Sequence, residues 1–242
     1  MCGIVGYIGH EQAFPILIKG LHRLEYRGYD SAGVAMIAEG GALNVYKAKG
    51  KVEELETVAK GQDVSGTIGI AHTRWATHGE PCVKNAHPHY SQSQTLALVH
   101  NGIIENYESL RQMLQGKGFA FHSDTDTEVL VQLIEYQQQL RLCSLADAVR
   151  GALRLAIGAY AIAVIDARHP DTIVAARKAS PLAIGVSDNN EEFFLASDAG
   201  PIAEYTKHIV YLNDDEVAEI RLGEDLRVTN LNGEHQDVLT RR

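Results

Sequence analysis

A cysteine directly follows the initiator methionine, in the run Met1-Cys2-Gly3-Ile4-Val5-Gly6-Tyr7. With Met1 removed, residue 2 carries both a thiol and a free α-amine. Ordinary pKa values of about 8.5 and about 8 leave both groups near their proton-transfer points at neutral pH. The amine can then take the thiol's proton, directly or through one water, so the nucleophile brings its own general base. The competing reading is a chance cysteine on a frayed end. The strand-like run Ile4–Ile8 weighs against fraying, because it would anchor the terminus in a sheet.

A second set of residues would suit a free amino acid. Arg74 could hold an α-carboxylate in bidentate fashion, with Asp126 taking the ammonium. Asn101-Gly102 pairs a side-chain amide donor with an unhindered backbone N–H, the two donor types of an oxyanion hole. Each has an ordinary alternative. Asp126 in a first helical turn is favoured by the macrodipole alone, and Asn-Gly is commonly a turn. Arg74 could be a surface ion pair and Trp75 a core residue. The 11 histidines, densest at His87-Pro88-His89, show neither a helical i, i+4 pair nor a cysteine partner. No metal and no cofactor is expected.

These residues sit in polar clusters that interrupt apolar segments. The clusters are Glu25–Gly33, Ala71–Pro81 after a strand, His100–Asn106 at a strand end, and Ser123–Asp126 leading into a helix. Phe14, Leu17, Ile18 and Leu21 recur at helical spacing, which predicts a helix over 12–24. Leu110, Met113 and Leu114 mark a second helix, with Asn106 as N-cap and Gly116 at its end. Thr125–Glu128 has the form of a capping box, followed by Val129, Leu130, Leu133 and Ile134 on one face. Gln137–Gln139 would lie on an exposed helix face. Leu145, Val149, Leu153 and Ala156 predict a fourth helix.

Strands are predicted at 67–72, 95–100, 159–165, 172–176, 182–186 and 193–196, with a hairpin turn at Asn232-Gly233. The run Ala159–Ile165 is apolar at every position, as in a strand whose sheet is covered on both sides. Strands and helices come in groups rather than strict alternation, which favours an antiparallel α+β fold with layered sheets. No linker precedes the last few residues, so 1–242 is expected to be a single domain.

Composition narrows the function classes. With 22 basic and 31 acidic residues the net charge is −9, unlike a nucleic-acid surface. No apolar run approaches the roughly 20 residues of a membrane span, and the amino end lacks a signal-peptide pattern. The expected setting is the cytoplasm, with Cys2, Cys82 and Cys143 as reduced thiols rather than a disulfide framework.

Read together, the clusters resemble one family. Cys2–Gly6 is similar to the start of glutamine amidotransferases of the N-terminal-nucleophile type. The stretches LEYRGYDSAG (24–33), HTRWATHGEP (72–81), NAHPH (85–89), VHNGIIEN (99–106) and SDTDTE (123–128) resemble the glutaminase domain of the glutamine–fructose-6-phosphate aminotransferase (glucosamine-6-phosphate synthase) family. The resemblance extends over nearly the whole chain. It implies a four-layer αββα sandwich of mostly antiparallel sheets, the fold of N-terminal-nucleophile hydrolases. Cys2 would be nucleophile and, through its amine, base, with Asn101 and Gly102 as the oxyanion hole. Arg74 and Asp126 would bind L-glutamine, under a loop carrying Trp75, Thr77 and His78. Arg27 would support the terminal site; His87 matches a family histidine without an assigned role.

The implied reaction is hydrolysis of glutamine to glutamate and ammonia through a γ-glutamyl thioester. In the family's full-length, homo-oligomeric enzymes a second domain passes the ammonia to fructose 6-phosphate. That sugar-phosphate domain is expected to be absent from this chain, which stops where the connection would begin. Two rivals remain: an N-terminal-nucleophile amidase of another substrate, and a glutamine-binding regulatory module without turnover. Retention of Met1 would favour the second, because it ties the α-amine of Cys2 into a peptide bond.

Overall fold

The computed structural model describes residues 1–238 and the backbone of 240–241. The chain runs through β1 (Gly3–Ile8), α1 (Ala13–Leu24), β2 (Ser31–Ile37), β3 (Leu43–Lys49), α2 (Val52–Ala59) and β4 (Ile68–Arg74). Next come β5 (His89–Tyr90), β6 (Leu96–Ile104), α3 (Tyr107–Gly116), α4 (Asp126–Leu140) and α5 (Leu145–Leu155). A run of strands follows: β7 (Gly158–Asp166), β8 (Thr172–Lys178), β9 (Ala183–Val186) and β10 (Phe193–Ala196). The last are β11 (Ile209–Tyr211), β12 (Glu216–Arg221), β13 (Arg227–Thr229) and β14 (Thr240–Arg241).

Among the described residues the strands form two sheets, ordered β14-β11-β9-β10-β1-β4-β2-β3 and β13-β12-β8-β7-β6-β5. Every ladder is antiparallel. Side-chain alternation explains the layering. Tyr160, Ile162 and Val164 of β7 pack with α3, α4 and α5, while Ala161, Ala163 and Ile165 face the other sheet. In β1, Ile4 and Ile8 join that inter-sheet core, while Val5 and Tyr7 pack against α1. Both faces of both sheets are thus covered, which gives the αββα order expected from the resemblance. No helix among the described residues is long and apolar enough to cross a membrane.

Local expectations hold where tertiary contacts leave them alone. Thr125 caps α4 by accepting from the Glu128 N–H at 3.2 Å. The Glu128 carboxylate reaches further back than a capping box requires, to the N–H groups of His122 and Ser123 at 3.0 and 2.7 Å. Asn106 precedes α3 but makes no cap. Its side chain instead accepts from Ile157 N–H at 2.9 Å and donates to Leu155 O at 2.9 Å, tying α3 to the end of α5. Gln137 is buried rather than exposed, packed where Gly151 of α5 leaves room. Asn232-Gly233 forms the expected turn, with Gly233 at φ +84°, but the return from β13 is a single bridge, Thr229 to His235.

Strand β6 is longer than the 95–100 expected from sequence. It runs on past His100 to Ile104, pairing with β7 throughout, including Asn101 with Ala161 and Gly102 with Tyr160. Asn101-Gly102 is therefore neither a turn nor a strand end. Gly102 holds φ +120°, and a Cβ there would lie 2.2 Å from Ala159 O. Only glycine fits that conformation.

Candidate active site

Cys2 stands just before β1, and Arg74 ends β4. Because Gly3 pairs with Thr73, the two residues come side by side at the same end of that sheet. The facing sheet brings Asn101 and Gly102 on β6, and α4 begins with Asp126. Cys2, Arg74, Trp75, Thr77, His87, Gly102 and Asp126 line one cavity of about 200 Å3, together with His100, Thr125 and Thr127. Those last three were not singled out from sequence as site residues. His100 could have been, since it directly precedes Asn101.

The Cys2 thiol accepts a hydrogen bond from Trp75 N–H at 3.2 Å. Burial pushes its pKa up, so it stays a thiol near neutrality and needs a base to react. Met1 is 73% exposed, with its ammonium donating to Arg27 O at 3.2 Å. Arg27 does not line the cavity. Its guanidinium pairs with Asp198 at 2.7 Å, and Tyr26 donates to the same oxygen at 2.6 Å, which fixes the 25–28 turn beneath the terminus.

Arg74 is only 3% exposed, which rules out a surface ion pair. Its guanidinium donates to the carbonyls of His78, Gly79 (3.3 Å) and Glu80 (3.4 Å). No described carboxylate lies within ion-pair distance of it. Asp126 accepts from Ile104 N–H at 2.8 Å, and its nearest basic group is His100 at 3.9 Å. Burial lowers the pKa of His100 against the pull of Asp126, so it supplies no full countercharge at neutral pH. One small cavity thus holds a cation and an anion that do not neutralise each other, which is the complement of a zwitterion.

Trp75 is 54% exposed and so is no core residue. The loop behind it is tethered by Asp30, which accepts from Ala76 N–H at 2.6 Å. Thr77 faces the cavity. His78 does not line it: its ring packs edge-on against Tyr107, with centroids 5.2 Å apart, while its carbonyl holds Arg74. Among the described residues no group of three His, Cys, Asp or Glu is arranged to hold a metal ion.

Under the cavity lies a buried imidazole cluster. His87 stacks on His72 with centroids 4.2 Å apart and meets His89 edge-on at 4.9 Å. His100 Nδ1 is 2.9 Å from Thr127 Oγ1. Burial lowers the pKa of all four, and that of His72 to about 3. The unfolded chain, with imidazoles near 6.5, therefore binds protons that the folded chain refuses. Stability is expected to fall as pH drops below about 6.5, by about 2 kcal/mol by pH 5 from His72 alone. His87 and His89 add in the same direction. Denaturant midpoints measured from pH 7 to pH 5 check this; a flat profile would contradict it.

A family described as glutamine amidotransferase domain matches residues 72–204. The glutamine–fructose-6-phosphate aminotransferase [isomerizing] of Bacteroides thetaiotaomicron is 64% identical over 231 residues, or 96% of this chain. The protein of the same name from Chlorobaculum tepidum is 55% identical over 225 residues, or 91% of this chain. The chain spans 37% and 36% of the lengths of these relatives. Among solved structures, glutamine phosphoribosylpyrophosphate amidotransferase from B. subtilis matches with a TM-score of 0.79 at 29% identity. That match covers 95% of this chain and 49% of the other.

Proposed function

The chain belongs to the glutamine amidotransferase domain family, and from that membership we propose that it hydrolyses L-glutamine to glutamate and ammonia. The observation that carries the reading is the buried, unneutralised Arg74 sharing a small cavity with Asp126 and the Cys2 thiol. Arg74 takes the α-carboxylate of glutamine and Asp126 its ammonium, which directs the side-chain amide toward Cys2. Removal of Met1 frees the α-amine to accept the thiol's proton. The sulfur then attacks the amide carbon, and the oxyanion is met by Asn101 Nδ2 and Gly102 N–H. Collapse expels ammonia, protonated by the amine, and leaves a γ-glutamyl thioester that water hydrolyses. Trp75 and Thr77 cover the bound substrate, His78 holds Arg74 in place through its carbonyl, and Arg27 supports the terminus.

We further propose that residues 1–242 act as one glutaminase domain. In a longer enzyme, of the length of the relatives named above, its ammonia passes to fructose 6-phosphate, and we propose that such an enzyme is a homo-oligomer. The cytoplasm, where thiols stay reduced, suits such a nucleophile.

Asn101 meets charge that exists only after attack. Asn101→Ala is therefore expected to lower kcat by about 10²–10³ with little change in KM. Incubating the 242-residue protein with glutamine and fructose 6-phosphate tests the rest. Glutamate is expected, without amino sugar; amino sugar would place an acceptor site within this chain. No glutamate from Met1-free protein would favour a binding module.

A further inference from the structure

Asn101 can serve an oxyanion only if its amide faces the right way, and the structure contains the group that sets its direction. Asn101 Nδ2 lies 3.2 Å from Cys2 O, a carbonyl that can only accept, so this end of the amide must be the donor. The other end, Oδ1, lies 2.8 Å from His72 Nε2, which is also 3.1 Å from His100 O. Both of these oxygens are acceptors. His72 Nε2 must therefore carry a proton, and the ring is the Nε2–H tautomer. Its second nitrogen, Nδ1, is buried without a hydrogen-bond partner, so the ring is no proton shuttle to Cys2. Fully buried on β4, His72 is held flat against His87 at an interplanar angle of 12°. His87 is itself fixed by accepting from His100 N–H at 3.3 Å.

We propose that His72 is a positioning residue for the oxyanion hole: its Nε2–H holds Asn101 Oδ1, which keeps the amide NH2 beside Cys2, where the oxyanion forms. A flipped amide would set NH2 against N–H, two donors with no acceptor between them. The hydrogen bond also polarises the amide and makes its remaining N–H the stronger donor. The stacked His87 keeps the imidazole in plane, which gives that residue a part as well. The proposal rests on the reading of Asn101 as an oxyanion donor.

His72→Phe keeps a stacking ring but has no donor, whereas His72→Gln places an amide N–H near the position of Nε2. In Met1-free protein, His72→Phe is expected to lower kcat for glutamine about tenfold to a hundredfold with KM within about threefold. His72→Gln should recover most of that loss. In an Asn101→Ala background, His72→Phe should cost nothing further, because the group it positions is gone. The proposal is overturned if His72→Phe keeps full kcat, or loses the same factor with and without Asn101. It is equally overturned if nitrogen-15 NMR of the unmodified protein finds the proton on Nδ1 of His72, a readout independent of how the variants fold. Full kcat in Asn101→Ala alone would instead remove the oxyanion reading beneath it.

Discussion

Replacing Cys2 with serine is expected to lower glutaminase kcat at least about 10³-fold while leaving glutamine affinity within about tenfold. The cavity walls that would bind the amino acid, Arg74 and Asp126, do not depend on sulfur, so binding should survive. The reaction should not. A thiol raised by burial is still within reach of an α-amine base, whereas a serine hydroxyl is far weaker as an acid and as a nucleophile at neutral pH. Glutamine binding by calorimetry and ammonia release, measured on the same preparation, separate the two effects. Equal loss of both would mean that residue 2 shapes the pocket rather than reacting.

Removing the charge of Asp126 should act in the opposite sense, on binding first. Asp126→Asn keeps an oxygen to accept from Ile104 N–H, so the start of α4 is preserved while the countercharge for an ammonium is lost. Truncating one partner of a desolvated charge pair costs about 2–5 kcal/mol, which corresponds to a rise in KM from about 30-fold to above 10³-fold. Arg74→Lys should behave similarly, since lysine keeps the charge but cannot make the planar two-point contact to a carboxylate. Glutamine amidated at its α-carboxylate should be a poor substrate for the unmodified protein. An unchanged KM in both variants would leave the zwitterion clamp without support.

Much of this arrangement was legible in the residues. The apolar run at Ala159–Ile165 pointed to a strand covered on both faces, and β7 contributes alternately to both cores. Less was legible where neighbours decide. Residues Leu43–Lys49 and Val52–Ala59 carry short, partly exposed patterns, too weak locally to predict β3 and α2. Asn101-Gly102 looked like a turn because its dipeptide favours one. Pairing with Ala161 and Tyr160 overrides that preference, and the missing glycine side chain allows the close approach to Ala159. Clusters of polar residues gave the chemistry, but the pairing of β1 with β4 and the packing of the two sheets bring them together. The mutual placement of the histidines was not legible for the same reason. Only the folded arrangement shows that His72, His87 and His89 are buried together and that the rings of His72 and His87 stack.

The most direct measurement is mass spectrometry of protein quenched in acid during turnover of glutamine, followed by peptide mapping. The expected species lacks Met1 and carries on Cys2 an added mass equal to glutamine minus ammonia, as a γ-glutamyl thioester requires. Undiminished turnover by protein that retains Met1, or an acyl group trapped on any residue other than Cys2, would contradict the account.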